Sequence, residues 1–164
     1  MARSVLWLLL FAILIACLYV YSYYRFATHV EVQQMELQNF TFDMLREKQP
    51  IVIDDRLVRL EDLQRLWFSS NKVATFRLES SDVWHNNKFK YLVMHAEQEG
   101  DIYLYPAGKN LIEGGVPDPA ETLLAIHLLP GQVMIVPFKW HYLIMQPMRV
   151  SCLGVHDYVT YLLP

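Results

Sequence analysis

The chain has few cysteines and no excess of basic residues, which speaks against a disulfide-linked scaffold and against a nucleic-acid-binding protein. It also has no internal repeat. Its two cysteines are Cys17, in an apolar run, and Cys152, in a predicted buried strand. Because these segments are so different, we expect no internal disulfide, and the cysteines leave the compartment open. Fourteen basic residues against seventeen acidic ones give a net charge of −3, which offers no electrostatic case for nucleic acid.

The longest uncharged stretch lies at the N-terminus. Residues 5–24 carry no charged side chain, and as a helix they would be about 30 Å long, the thickness of the hydrocarbon core of a bilayer. Trp7 lies near one end and a cluster of tyrosines at the other, as in the aromatic belts of membrane proteins. We therefore predict that residues 1–24 form a transmembrane anchor, that residues 5–24 contact the lipid bilayer, and that the protein crosses the membrane once.

Three other interpretations of this segment stay open. A cleaved signal peptide needs a more basic start than Arg3 provides and a shorter apolar core. Residues 14–17 are similar to a bacterial lipoprotein processing site, with Cys17 as the lipidated residue. A buried core helix is the third interpretation, although the segment is apolar on every face. Orientation and compartment are undetermined, because Arg3 and Arg25 place one basic residue on each side.

The rest of the chain is long enough for one domain of ordinary size. Residues 25–38 are polar and are predicted to be a juxtamembrane linker, helical in part. Residues 39–164 are predicted to form the domain, beginning with two short helices at residues 39–48 and 56–69. The second of these carries leucines at steps of three, which is typical of an amphipathic helix.

One short strand is predicted before the second helix, and seven more are predicted after it. Apolar residues alternate or cluster in short runs that glycine and proline separate, which indicates a β-sandwich or barrel. The predicted strands are residues 51–53, 73–78, 90–95, 101–105, 123–128, 132–136, 141–145 and 150–155. A long loop is predicted at residues 107–121. The fold class is therefore α+β and mainly β.

Residues 129–142, LPGQVMIVPFKWHY, resemble the pattern PGDxxxIPxxWWHxV of Jumonji-C and cupin-like oxygenases. Residues 42–53 are similar to the opening helix and strand of this family, and residues 84–106 lie where the family has its HxD motif and a following turn. The resemblance implies a double-stranded β-helix, a cupin or jelly-roll-like barrel, preceded by the two short helices and the transmembrane helix. Residues 39–164 would then be a cupin-like domain.

The resemblance also implies a metal site. The family binds Fe(II) through two histidines and a carboxylate, which leaves positions for 2-oxoglutarate and oxygen. Carried over, the ligands would be His85, Asn87 and His141. Asn87 departs from the pattern, because it supplies a neutral oxygen where the family has a charged carboxylate. Asp82 would replace that carboxylate only after a rearrangement of the loop, and His95 is the other alternative ligand.

A site for the co-substrate is harder to place. The family has a basic residue near the turn that follows the HxD motif, whereas residues 97–101 here carry three acids and no base. Arg149 and Ser151 resemble the Arg-x-Ser element that other oxygenases of this superfamily use for the carboxylate of 2-oxoglutarate. Trp84, Trp140 and Tyr142 are predicted to line the pocket at the open end of the barrel.

Two functions are consistent with this pattern. In the first, the domain is a degenerate scaffold that binds a protein partner or forms part of an assembly, with no cofactor. In the second, it is an active oxygenase at a membrane surface that uses Fe(II) and 2-oxoglutarate. We prefer the first, because Asn87 replaces the acid, no base is evident for the co-substrate, and a fold alone does not confer its chemistry.

Overall fold

The computed structural model describes residues 2–25, 30–56, 59–109, 111, 115–118 and 122–162. Three α-helices and ten strands are found in these residues. The helices are α1 (Ala2–Tyr23), α2 (Leu60–Trp67) and α3 (Tyr158–Leu162). The strands are β1 (Gln33–Met35), β2 (Ile51–Ile53), β3 (Lys72–Glu79), β4 (His85–Asn86), β5 (Tyr91–Ala96), β6 (Gly100–Tyr105), β7 (Leu124–Leu128), β8 (Val133–Pro137), β9 (His141–Ile144) and β10 (Arg149–His156).

The strands form two sheets that face each other. One sheet has the order β1-β2-β8-β5-β10-β3, and the other has the order β4-β9-β6-β7. Strands β3 to β10 thus contribute the orders β3-β10-β5-β8 and β4-β9-β6-β7, which is the strand order of a jelly roll. The predicted double-stranded β-helix is confirmed, and all eight strands predicted from the sequence form within two residues of their expected ends.

The main core lies between the sheets. Every second residue of β5 and β10 points into it from the larger sheet, including Met94 and Cys152, and Leu104 and Ile144 point into it from the smaller one. All four side chains are buried. The alternation that indicated strands in the sequence is therefore the alternation between this core and the outside of each sheet.

Residues 33–35 correct the predicted linker. They form β1, which pairs in parallel with β2 at the edge of the larger sheet, so that Gln33 lies opposite Ile51 and Met35 opposite Ile53. The Gln33 amide also donates to the carbonyl of Pro50, 3.0 Å away. The folded domain therefore begins before residue 39, and the segment is extended where partial helix was expected. Residues 26–29 of the predicted linker lie outside the described residues.

The outer face of the larger sheet is covered by short helices. Leu37–Asn39 and Phe42–Glu47 are 3-10 helices, where the sequence predicted one helix over residues 39–48. Helix α2 is shorter than predicted and buries Leu63, which contributes about 2 kcal/mol relative to an exposed leucine. These elements and Phe68 pack on Val93 and Leu153 of the sheet in a second core.

Helix α3 was not predicted, although the sequence contains its signal. Asp157 Oδ1 accepts hydrogen bonds from the amides of Val159 and Thr160, and Thr160 Oγ1 accepts one from the amide of Asp157. This reciprocal pair is a capping box with Asp at the first position and Thr at the fourth, a variant of the usual Ser-x-x-Glu pattern. The box begins the helix directly after β10.

Helix α1 projects from the domain. Val5–Tyr23 is long and apolar enough to cross a membrane, and its side chains are exposed, with Trp7 71% and Leu8 69% accessible. Its last turns contact the domain, where Val20 and Tyr23 pack on Phe138 and Val159. A helix that is apolar all round needs an apolar environment that the described part of the chain does not supply.

Cys152 tests the arrangement of the core. Its thiol is fully buried between the sheets, and burial raises its pKa to about 12, with the nearby Glu97 carboxylate adding to the shift. In the full chain carrying Cys17→Ser, the thiol should react with a disulfide reagent at pH 8 at least about a hundredfold more slowly than after unfolding, because the thiolate is the reactive form. Equal rates before and after addition of denaturant would contradict the packing.

Candidate functional site

Strands β4 and β9 carry the predicted metal ligands, and their register decides where the side chains point. His85 lies opposite Tyr142, and Asn86 lies opposite His141. Directly opposed residues of an antiparallel pair share a face, and neighbours along a strand lie on opposite faces. His85 and His141 therefore lie on opposite faces of the smaller sheet, and the structure does not bring the two histidines together.

His141 lies on the outer face of this sheet. Its Nε2 is 3.3 Å from the carbonyl oxygen of Lys109, to which it donates, and 3.4 Å from the Asn86 side-chain amide. Its Nδ1 is buried without a hydrogen-bond partner. Burial lowers the pKa of His141 below its usual value. Trp84, predicted to line the pocket, packs edge-on against Tyr105 on this same outer side.

His85 lies on the inner face at the edge of the sheet. Its ring stacks on Tyr142, with 5.4 Å between the ring centroids. Tyr142 is buried in the main core, and burial raises its pKa to about 12. Trp140 is also part of this core. Trp140 and Tyr142 thus fill the interior where the sequence predicted that they would line an open pocket.

Asn87 is buried, and its side-chain amide makes three hydrogen bonds. Its side-chain Nδ2 donates to the carbonyl oxygens of Val136 and Pro137, at 2.9 and 2.8 Å. Its Oδ1, the atom that would bind a metal, accepts the amide of Phe89 at 2.9 Å. The two donated bonds explain why an amide suits this position, since an ionised carboxylate has no hydrogen to donate.

The backbone of Asn87 continues the same connection. Its amide donates to the carbonyl of Trp140, and its carbonyl accepts the amide of Lys139. The nitrogen–oxygen distance is 2.8 Å in both bonds. The side chain and backbone together fix residues 137–140, which we call the β8–β9 turn. Lys139 in this turn has a φ of 67°, which side-chain-bearing residues rarely adopt, and the bonds to Asn87 hold it there.

The interior next to Asn87 is filled by its neighbour Phe89. A Cβ on Gly154 of β10 would come within 2.4 Å of the Phe89 ring, so the ring occupies the space that a larger residue would need. Phe89 also stacks on Phe76, with centroids 5.6 Å apart. The end of the barrel that would admit a co-substrate is therefore packed with the chain's own side chains.

Arg149 and Ser151 lie elsewhere. Both are on the outer face of the larger sheet, opposite Glu79 and His95 respectively, and so not in the barrel. Arg149 is 3.8 Å from the Glu79 carboxylate, and Ser151 donates to Glu97. The bond from Ser151 and the charge of Arg77 lower the pKa of Glu97. His95, the alternative metal ligand, is on this face as well.

The residues present do not fit the iron site that the resemblance implies. His85 and His141 lie on opposite faces of the smaller sheet, the Asn87 oxygen already accepts the amide of Phe89, and the proposed co-substrate residues lie on the far side of the larger sheet. In the described part of the chain no three histidine, cysteine or acidic side chains come close enough to share a metal ion. Asp82 is exposed, in the turn before β4.

A different site lies where α1 meets the domain. A cavity of about 640 Å³ opens between the last turns of the helix and the barrel, and we call it the junction cavity. Its lining residues are Tyr19, Ser22, Tyr23, Arg25, Leu45, Arg46, Glu47, Lys48, Lys90, Tyr91, Pro137 and Phe138. The sequence did not predict it, because its walls come from four segments that are distant in the chain. The tyrosines at the end of the apolar run and the basic residues at positions 46 and 48 were its signals.

Lys48 fixes the end of α1 against the domain. Its Nζ donates to the backbone carbonyls of Ser22, Tyr23 and Arg25, with the last bond 2.6 Å long. These carbonyls lie at the helix C-terminus, where a cation also complements the helix dipole. The backbone of Lys48 has a φ of 56°, and its carbonyl accepts the indole Nε1 of Trp140 at 3.1 Å.

Aromatic packing supports the same joint. Tyr23 and Phe138 meet edge to face with centroids 5.8 Å apart, and Tyr24 packs on Phe138 in the same way at 6.5 Å. Tyr19 Oη donates to the Asp157 carboxylate over 3.2 Å. The β8–β9 turn therefore contacts Asn87 on one side and the membrane-type helix on the other.

Comparison with known proteins adds two loose structural similarities. No protein-family model matches the chain, and no curated protein is similar to it in sequence. The chain is similar to RmlC from Streptococcus suis in complex with dTDP-D-xylose, with a TM-score of 0.33 and 13% identity over 66% of this chain and 62% of that one. It is also similar to dTDP-6-deoxy-D-glucose-3,5-epimerase RmlC from Legionella pneumophila Philadelphia 1, in complex with dTDP-4-keto-L-rhamnose, with a TM-score of 0.32 and 10% identity over 62% and 57%.

The chain thus spans about three fifths of the length of these two proteins. Because these superpositions are loose, the double-stranded β-helix is assigned from the strand order described above.

Asn87→Asp tests whether this position is structural. The substitution removes two buried donated hydrogen bonds and sets a carboxylate against two carbonyl oxygens, so we expect a loss of roughly 2–4 kcal/mol in the free energy of unfolding. The loss should shrink as the pH falls, because burial raises the pKa of the introduced carboxyl and its protonated form can again donate one bond. Denaturant unfolding of the full chain in detergent measures both.

Asn86→Asp is the matched control, since it adds the same charge one residue away at an exposed position. We expect it to change stability by less than about 0.5 kcal/mol. Equal effects of the two substitutions would contradict the role that we give to the Asn87 amide.

Proposed function

We propose that this protein crosses the membrane once and holds a cupin-like domain against the bilayer surface, where the domain binds a partner or forms part of an assembly without catalysis. The domain would be a relative of the Jumonji-C type in which the positions of the metal ligands have taken structural roles. The α1 helix and the strand order support the first part of this proposal, and the bonding of Asn87 supports the second.

One observation carries the non-catalytic role. The Asn87 amide makes three hydrogen bonds to the backbone: Nδ2 donates to the carbonyls of Val136 and Pro137, and Oδ1 accepts the amide of Phe89. The two donated bonds fix the orientation of the amide, and a metal on Oδ1 would have to share that oxygen with the half-buried amide of Phe89. His141 would also have to move to the other face of the sheet, which requires a shift of β9 by one residue against β4 and β6.

The position of α3 supports a domain that lies on the membrane. Val159 of this helix packs on Tyr23 and Phe138 at the end of α1. Its neighbours Tyr158 and Leu162 are 84% and 72% exposed. Tyrosine is enriched at the level of the lipid headgroups, so an exposed tyrosine and leucine beside the end of a spanning helix suit the interface better than water.

The anchor is tested by the behaviour of the full chain in membranes. We expect it to stay in the membrane pellet after an alkaline carbonate wash. The double substitution Leu10→Arg and Leu14→Arg should release it, because each arginine near the centre of a spanning helix costs about 2.5–3.5 kcal/mol. As a control, Leu66→Arg on the exposed side of α2 should leave the chain in the pellet. Release of the unmodified chain would overturn the proposal of an anchor.

Catalysis is tested on the purified full chain, loaded with Fe(II) without oxygen and then supplied with 2-oxoglutarate and oxygen. We expect no iron-dependent formation of succinate, because the described residues do not converge on a metal. Asn87→Asp should not create such activity. Iron-dependent succinate from the unmodified protein, lost in His141→Ala, would overturn the non-catalytic proposal and establish the oxygenase alternative.

A further inference from the structure

The junction cavity lies at the depth of the lipid headgroups if α1 spans the bilayer. Its lining takes in the end of the helix, from Tyr19 to Tyr23, which covers about 6 Å along the helix axis, and Arg25 just beyond it. The headgroup region of one leaflet is about 5–8 Å thick, since it accounts for the difference between the hydrocarbon core and the whole bilayer. The cavity would therefore be open to lipid as well as to water.

The residues that line the cavity carry more positive than negative charge. Arg25, Arg46, Lys48 and Lys90 are basic, and Glu47 is the acidic residue among those that line the cavity. Two carboxylates outside the lining pair with these cations, since Asp157 is 3.4 Å from Lys90 and Asp43 is 3.2 Å from Arg46. The whole chain carries a net charge of −3, so the excess of positive charge is a local feature. Burial and the nearby charge of Arg25 lower the pKa of Lys48, as expected for a cation among cations.

The same cavity has an apolar wall. Leu45, Tyr91, Pro137 and Phe138 line it beside the basic residues, together with two tyrosines of α1. A free inorganic anion would leave this wall in contact with water. A phospholipid would cover it with its glycerol and first methylene groups while its phosphate contacts the basic residues.

The cavity is built on fixed backbone. Two lysines near the joint have a positive φ, Lys48 and Lys139, and Lys139 Nζ is 5.1 Å from the centre of the Phe138 ring. Residues in this conformation cost roughly 1–3 kcal/mol and persist where the surroundings hold them, which is commonly at binding sites. The Nζ of Lys48 is engaged with the end of α1. Arg46 and Lys90 each form one ion pair, with Asp43 and Asp157, and each keeps further N–H groups with which to contact a ligand.

We propose that the junction cavity binds the headgroup of an anionic phospholipid from the leaflet in which α1 ends. Arg46 and Lys90 contact the phosphate, Arg25 adds long-range attraction, and the apolar wall takes the upper part of the lipid. The proposal rests on the membrane anchor proposed above. It gives the anchor a second role, because a bound lipid would fill the gap between helix and barrel and fix the angle between them.

The test uses the full chain in vesicles of phosphatidylcholine with one tenth phosphatidylglycerol. Native mass spectrometry of the chain released from these vesicles counts the lipids that stay bound. We expect one phosphatidylglycerol to be retained over phosphatidylcholine by roughly 25-fold after correction for the mixture, since each of the two basic residues contributes about fivefold in favour of a lipid with a net negative charge. Equal retention of the two lipids would overturn the proposal.

Substitutions assign the effect to the cavity. Arg46→Gln with Lys90→Gln should bring the retention ratio close to one. Arg65→Gln is the matched control, because Arg65 is as exposed as Arg46 and has the same kind of ion pair, to an aspartate three residues earlier. It should keep the full preference. A preference that survives the double substitution, or is lost in the control, would contradict the site.

Two further readouts separate the causes of a negative result. Slow reaction of the Cys152 thiol with a disulfide reagent in each variant shows that its core is intact. An intact unmodified chain with no lipid preference counts against the site itself. A chain that fails to float with the vesicles overturns the anchor, whereas one that floats without preferring phosphatidylglycerol overturns only the lipid site. Displacement of the lipid by millimolar inorganic phosphate would assign the cavity to a free anion and overturn the lipid proposal.

Discussion

The contacts of Asn87 with the β8–β9 turn are the constraint on which the rest of this structure depends. Five hydrogen bonds join this residue to Val136, Pro137, Phe89, Lys139 and Trp140. Each buried bond contributes about 1 kcal/mol, and the loss of one partner costs more than the bond itself contributes. The bonds hold Lys139 in a left-handed conformation, and the turn then delivers Trp140 to the core and His141 to the outside. A position that resembles a metal ligand in the sequence thus closes one end of the barrel.

The same turn connects the barrel to α1. Phe138, at its tip, packs on Tyr23, and Trp140 donates to the carbonyl of Lys48, whose side chain in turn holds the end of α1. Any motion of the turn would therefore move the residues that contact the helix. This end of the barrel therefore supports the contact with the helix. A closed barrel end that holds a helix is a physical reason to propose a scaffold. The same joint borders the junction cavity, whose basic lining suits a lipid headgroup.

Much of the fold could be predicted from the sequence, because the alternation in strands such as β5 and β10 reports directly on a buried face. Strand β1 could not, since it is short and polar and is extended only by pairing with β2. The site was less predictable. The residues between β8 and β9 set the phase of β9, and a shift of one residue there decides whether His141 points inwards or outwards, which spacing along the chain does not reveal. The direction of the Asn87 amide depends on carbonyls nearly fifty residues away, and the joint at Lys48 brings together segments with no shared motif.

Hydrogen exchange of the Asn87 side-chain amide is the most direct test of this account. It is measured by nuclear magnetic resonance on the full chain in detergent micelles or nanodiscs. We predict that the two Nδ2 protons give separate resonances and exchange slowly with water, at rates comparable to those of the backbone amides of β8, because both are donated to buried carbonyls. Fast exchange typical of an exposed asparagine, or broadening of these protons when a paramagnetic divalent ion is added at stoichiometric concentration, would contradict it.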